Sequence, residues 1–304
     1  MRPHHEAIRP TTIIEAPRLS KRLGAQVVVA SETFQWTGSF KFRAAYNVAL
    51  HVPNDHIIGA SSGNFGQALA YACQLTGKRC TVVMPHNSAQ VKVEAVREYG
   101  ATVDLINVRD VSRSERVQQL AAASGEAYVA SPYDDSLVID GNASLGGELI
   151  ALGRAFEAIV VPVGGGGLIG GIAQSVARAK AATKVFGAEP ALANDAARSL
   201  REGRIIVNEQ EPQTIADGAR TVSLGQHNWA IIREHVAGIV EVSEEQIREG
   251  VRLLYSLANL KVEPTGALAI GALLAAPDLF RDQQVCCVVS GGNVDAAVYR
   301  QCIE

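Results

Sequence analysis

Short apolar runs rich in β-branched residues alternate along the chain with longer stretches whose apolar residues recur every three or four positions. The first pattern predicts buried strands, and the second predicts helices with one face in a core. Strands are predicted at 25–30, 57–60, 80–84, 103–106, 158–163, 184–188 and 285–289. Helices are predicted at 65–76, 88–99, 112–124, 167–180, 243–258 and 265–275. This alternation is the pattern of βαβ units, so a doubly wound α/β protein with open, mostly parallel sheets is expected. At 304 residues the chain is long for one hydrophobic nucleus, and two lobes are expected. No repeat or low-complexity tract marks a boundary between them.

Composition narrows the class. Hydrophobic residues make up 47% and charged residues 19%, which is ordinary for a packed enzyme and far from a disordered chain. Net charge is −3 with both signs interspersed, so there is no basic stripe for nucleic acid. No apolar run is long enough to span a bilayer, and the opening Arg, His and Pro residues are unlike a signal peptide. No membrane partner and a cytoplasmic location are therefore expected. Cys73, Cys80, Cys286, Cys287 and Cys302 show no metal-ligand spacing and read as reduced, mostly buried thiols.

Four segments carry candidate chemistry. Thr37-Gly38-Ser39-Phe40-Lys41-Phe42-Arg43 places Lys41 at the start of a helix, where the dipole and nearby cations disfavour the ammonium form, as carbonyl chemistry at an amine requires. Ser61-Ser62-Gly63-Asn64 follows a predicted strand and precedes a predicted helix, so its amides and hydroxyls could hold a carboxylate. Gly164, Gly165, Gly166 and Gly167 follow another strand; four glycines in a row cost backbone entropy and suit a loop that wraps a phosphate at a helix N-terminus. The same stretch also fits a dinucleotide fingerprint, Gly165-x-Gly167-x-x-Gly170 with Glu189 about 20 residues on. Ser290-Gly291-Gly292-Asn293 puts a hydroxyl at the carboxyl end of a strand, the edge where open α/β sheets bind ligands.

Read together and in this order, the segments resemble the fold-type II family of pyridoxal-phosphate (PLP) enzymes, the fold of tryptophan synthase β. Within it the chain is similar to the serine/threonine dehydratase and serine racemase branch. Supporting stretches are Ser131-Pro132-Tyr133-Asp134-Asp135, Thr214-Ile215-Ala216-Asp217-Gly218 and Val262-Glu263-Pro264-Thr265. The resemblance covers most of the chain and displaces the dinucleotide reading.

It implies that Lys41 is the Schiff-base lysine, with Phe40 beside the cofactor ring and Asn64 bonded to its 3′-oxygen. Gly164, Gly165, Gly166, Gly167 and Leu168 would cradle the phosphate, with Gly218 and Glu263 as further cofactor contacts. Ser290 would face the pyridine nitrogen as a neutral hydroxyl, which moderates electron withdrawal and favours elimination over transamination. Ser61, Ser62, Gly63 and Asn64 would grip the substrate carboxylate while Lys41 takes the Cα proton. The implied reaction converts serine, threonine or a similar 3-hydroxy amino acid to a 2-oxo acid and ammonia; serine racemisation and 3-hydroxyaspartate dehydration are the alternatives. Ser62 bears on that choice, because the racemases have a serine there as the acid on the opposite face of Cα. Glu189, the carbonyl of Ala193 and Asp195 resemble the family's site for Mg²⁺ or Ca²⁺. The implied assembly is a homodimer.

The implied large PLP-binding lobe takes in 1–55 and 135–304, and the small lobe 56–134, with the active site between them. Two departures from the family are visible. Asp140-Gly141-Asn142-Ala143-Ser144 replaces the usual Ala-Gly-Gln-Gly-Thr, and Phe65 stands where the loop has a histidine. Substrate identity is therefore less well defined by the sequence than reaction class. β-Replacement, and a PLP fold without catalysis, are the remaining rivals.

Overall fold

The computed structural model describes residues 7–61, 63–88 and 90–304. Ten strands are present among them. In chain order they are β1 (Thr12–Glu15), β2 (Gln26–Ser31), β3 (His56–Ala60), β4 (Arg79–Pro85), β5 (Thr102–Ile106), β6 (Ala127–Ala130), β7 (Ala158–Pro162), β8 (Lys184–Pro190), β9 (Val236–Val242) and β10 (Gln284–Val289). They form a six-stranded sheet ordered β1-β2-β10-β7-β8-β9 and a four-stranded sheet ordered β5-β4-β3-β6. Every pairing is parallel except β1 with β2. The expected α/β class with mostly parallel sheets is what the chain adopts.

The chain divides into two compact units, Lys41–Gly141 around the smaller sheet, and the residues through Phe40 with Asn142–Glu304 around the larger. The expected 56–134 small lobe falls inside the first of these. Its larger bounds take in the helix Lys41–His51 and the beginning of the helix Ser136–Ala151, within which the division falls.

In the larger unit the central strands are apolar on both faces, as parallel strands covered by helices must be. All of β7 is buried, and β10 is buried from Val285 to Val289. Cys286 and Cys287 point to opposite faces and join two different core clusters, one on each side of the sheet. The helix Gly167–Arg178 turns Leu168, Ile169, Ile172 and Val176 inward. The helix Glu244–Ala258 opens with a capping box between Ser243 and Gln246 and buries Ile247, Val251 and Leu254. In the smaller unit Ile58, Val83, Ile106 and Val117 form the core on one side of the sheet.

The seven predicted strands all occur. Three others, β1, β6 and β9, were not predicted; β1, β6 and β9 stand at sheet edges, where only partial burial blurs the apolar pattern. The helix Ser136–Ala151 is a larger omission, because its Gly, Asn and Ser residues are poor helix formers. Packing overrides that propensity. A Cβ on Gly141 would sit 2.7 Å from the carbonyl oxygen of Arg43 and 2.8 Å from Ala44 Cα, so two helix backbones meet there.

A helix-interior Gly→Ala change ordinarily stabilises by about 0.5–1 kcal/mol. Gly141→Ala is expected to do the reverse, by roughly 1–3 kcal/mol, because backbone cannot swing aside as a side chain would. Urea denaturation of the two proteins checks the sign.

Candidate active site

In the larger unit, β2, β10 and β7 lie side by side and parallel, so the turns that follow them emerge at one sheet edge. Those turns are three of the four predicted segments. They are tied by backbone: Phe40 N–H donates to Ser290 O at 3.0 Å, Gly292 N–H donates to Gly38 O at 3.0 Å, and Ser39 pairs with Gly291. The amide of Asn293 donates to Thr37 O at 2.7 Å. Glu263 is 3% exposed, and its Oε1 lies 2.6 Å from where a Cβ on Gly291 would stand, which places it beside this junction.

The glycine segment leads directly into the helix Gly167–Arg178, whose first amides have no partner within the helix. Gly164 lies against the next predicted residue: a Cβ there would be 3.1 Å from Gly218 O. Gly218 is itself held by its N–H donating to Thr265 Oγ1 at 3.0 Å. Leu168 packs its side chain into the core, so only its backbone could face an anion.

In the smaller unit, β3 and β6 are parallel neighbours, and their ends release Ser61 and the 131–135 segment at one edge. Ser61 Oγ accepts from Gly63 N–H at 3.2 Å, and Asn64 is the first residue of the helix Asn64–Thr76. Ser62 lies outside the described residues. Lys41 heads the helix Lys41–His51, and its Nζ donates to Pro132 O at 2.6 Å. That amine also stands 5.8 Å from the centre of the Phe65 ring. The 131–135 segment is fixed in turn: Ser131 Oγ accepts from Asp134 N–H at 2.9 Å, and Tyr128 OH donates to the Asp135 carboxylate. Burial and that carboxylate push the Tyr128 hydroxyl well above the usual phenol range.

Of the three residues predicted for a cation, Glu189 and Asp195 are both buried and feel each other's charge. Glu189 is buried at the end of β8 and accepts from Ala196 N–H at 2.9 Å and Ala197 N–H at 2.8 Å, at the start of the helix Asp195–Glu202. Asp195 is fully buried; its Oδ1 accepts from Asn208 at 2.9 Å, and its Oδ2 has no partner among the described residues. Burial, followed by the charge of Asp195, raises the Glu189 carboxyl well above the usual range, and burial pushes Asp195 up to about 7. Among the described residues no three His, Cys, Asp or Glu side chains gather as an ion cage; the expected site needs only two carboxylates and the Ala193 carbonyl. The unfilled Asp195 oxygen suits a cation. Glu189, with both oxygens taken by amides, serves equally as a helix cap.

Residues 5–291 match the family described as pyridoxal-phosphate dependent enzyme. The chain belongs to that family. L-threo-3-hydroxyaspartate ammonia-lyase of Saccharomyces cerevisiae is 38% identical over 98% of this chain and 92% of its own length. Mouse serine racemase is 34% identical over 95% of this chain and 88% of its own. A crystal structure of T.th. threonine deaminase superposes with a TM-score of 0.90 at 40% identity, covering 95% of this chain and 94% of that one. Both the resemblance and the fold read from the sequence therefore hold, in a branch that contains lyases and racemases. No described helix is long and apolar enough to cross a membrane.

The residues present fit the family's cofactor. Ser290 Oγ, Ser39 Oγ and Thr221 Oγ1 are buried with no partner among the described residues. A buried hydroxyl without a partner costs roughly 1–3 kcal/mol, so three at one sheet edge point to a polar ligand that completes them. Thr221 stands near the loop, 3.7 Å from a Cβ on Gly164. The sequence reading missed Thr221, the Pro132 carbonyl and Asn228. Nothing local announces the first two. Asn228 had a signal: with Trp229 and Ile232 it lies on the inward face of the helix Gln226–His235, a polar residue at an apolar position.

The cation cluster gives a test. A carboxyl with a pKa of about 7 when folded and 3.8 when unfolded supports the fold fully below pH 4 and progressively less as pH rises to 7. Protein treated with chelator is expected to lose melting temperature over that window. Mg²⁺ or Ca²⁺ is expected to recover the loss by binding the folded state. Melts insensitive to both chelator and cation would leave the pair as a helix cap.

Proposed function

We propose that this protein is an ammonia-lyase that converts 3-hydroxyaspartate to the corresponding 2-oxo acid and ammonia, with PLP as cofactor. The observation that carries the chemistry is the placement of the Lys41 amine, held on the Pro132 carbonyl in the unit that also bears Ser61, Gly63 and Asn64. What supports the substrate is the similarity to the yeast 3-hydroxyaspartate enzyme over almost the whole of both chains. Serine and threonine, the first expectation from the sequence, have weaker support. Serine racemisation is the second reading; it is favoured by the similarity to the mouse racemase and depends on Ser62.

Bound PLP supplies an aldehyde that a primary amine can hold and a ring that withdraws electrons from Cα. The chain's own residues do the rest. Lys41 Nζ anchors the cofactor and takes the Cα proton. Amides and hydroxyls of Ser61, Ser62, Gly63 and Asn64 bind the substrate carboxylate. Gly164, Gly165, Gly166, Gly167 and Leu168 offer backbone amides to the phosphate, and Gly218 and Glu263 flank that loop and the 290–293 turn. The Ser290 hydroxyl would serve as a neutral partner of the ring nitrogen, and Phe40 would lie beside the ring. Glu189, the Ala193 carbonyl and Asp195 would hold Mg²⁺ or Ca²⁺. The 56–134 segment is proposed to close over the substrate, and a homodimer is the proposed assembly.

Purified protein is expected to be yellow, and Lys41→Ala is expected to lose the lysine-bound chromophore together with roughly 10²-fold or more of its turnover. Colourless protein that binds NAD would sink the reading. A panel of L-threo-3-hydroxyaspartate, L-serine, D-serine and L-threonine, read by 2-oxo acid and ammonia release, is expected to give the highest kcat/KM on 3-hydroxyaspartate. A preference for threonine or serine would return the assignment to the simpler dehydratases. Serine recovered as the opposite enantiomer would bring in the racemase, and no solvent deuterium at Cα of recovered serine would remove it.

A further inference from the structure

We propose that Asn228 is the positioning residue that turns the glycine loop toward the cofactor phosphate, an inference that rests on the PLP reading above. Asn228 lies on the helix Gln226–His235 and is completely buried. A primary amide is costly to bury unless its groups are bonded, so its partner is informative. Its Nδ2 donates to the carbonyl oxygen of Gly165 at 2.8 Å. The N–H of Gly225 donates to the same oxygen at 3.1 Å. The Gly165 carbonyl is thus held by two donors at the start of that helix.

This fixes more than one atom. No peptide bond among the described residues is cis, and in a planar trans peptide the carbonyl and the next N–H point in opposite directions. Drawing Gly165 O onto Asn228 therefore turns Gly166 N–H the other way. The turn is locked from the same side. Gly166 has φ of +92°, and a Cβ on it would meet Ile232 Cδ1 at 2.9 Å and Asn228 Cβ at 3.0 Å. One step on, Gly170 N–H donates to Gly166 O at 2.8 Å, which begins the helix whose first amides complete the cradle. A carbonyl pointing into the cradle would repel a phosphate dianion; Asn228 keeps this one out and leaves an amide in its place.

A merely structural asparagine would affect all ligands alike, whereas a residue that sets the phosphate loop affects only those bearing a phosphate. Pyridoxal, with the same aldehyde and ring but no phosphate, separates the two. Full-length apoprotein, as wild type, Asn228→Ala and Asn228→Asp, is titrated with PLP and with pyridoxal by fluorescence, and the ³¹P resonance of bound PLP is recorded. Both substitutions remove the donor, and aspartate keeps the size. Dissociation constants for PLP are expected to rise roughly ten- to a hundredfold, from the loss of a bond to a buried carbonyl. Those for pyridoxal are expected to stay unchanged, and the ³¹P resonance to move. Asn228→Ser, which keeps a shorter donor, is expected to recover part of the affinity; where the alanine variant fails to fold, the order wild type, serine, aspartate answers the same question. Equal losses for PLP and pyridoxal, or none for either, would overturn the inference. Wild type that takes up no PLP would instead remove the cofactor reading beneath it.

Discussion

The parallel pairing of β10 between β2 and β7 is the constraint on which the larger unit depends. Its register, Val289 opposite Ser31 and Cys287 opposite Val160, brings three strand ends level at one edge. Without it, Ser290, Gly164 and the 37–40 turn would be far apart, since they are separated by more than a hundred residues of chain. The pairing continues past the strands. Glu32 N–H donates to Val289 O at 2.9 Å, and the backbone bonds between the 37–40 and 290–293 turns then carry the alignment into the loops. A slip of β10 would break these bonds and turn its buried side chains to the wrong faces. Cys286 and Cys287 show how tightly both faces are filled: burial pushes the Cys286 thiol up to about 12, and the pair serves as small apolar side chains with no thiolate chemistry.

Against this apolar background, the buried polar groups fall into two kinds. Some are bonded to a loop and serve geometry. Asn228 Nδ2 on Gly165 and Thr265 on Gly218 each fix a loop that propensity would leave free. Others are buried with an empty side, as are Ser39, Thr221, Ser290 and one oxygen of Asp195. The first kind contributes to stability, while the second costs it until a ligand arrives. Sites that bind charged groups are where a fold keeps such unfilled positions.

Lys41 illustrates the same division within the smaller unit. Its position at the head of a helix follows from local sequence. Its partner, the carbonyl of Pro132, comes from 91 residues further along the chain. Proline has no N–H to offer, but its carbonyl remains a full acceptor. The short 131–135 segment that presents it is in turn held by its own serine and by Tyr128 on β6. The amine is thus placed by a second strand end, just as Ser290 is in the larger unit.

By itself, the sequence determined the α/β class and seven of the strands, most of them buried and continuously apolar, and it marked Lys41, Asn64, Gly164 to Gly167 and Ser290 as the motif residues of the proposed site. These are legible because burial on both faces, turn chemistry and glycine runs are local properties, and the order of motifs is a property of the chain. The tertiary structure decided the rest. The helix Ser136–Ala151 forms against its own propensity because Gly141 permits close backbone contact. The edge strands β1, β6 and β9 are defined by their neighbours more than by their own residues. Asn228, Thr221 and the Pro132 carbonyl acquire meaning only from what lies beside them, and the Asp195 carboxyl is pushed up to about 7 by burial. Each of these depends on segments distant in the chain, and no local window of sequence contains both partners.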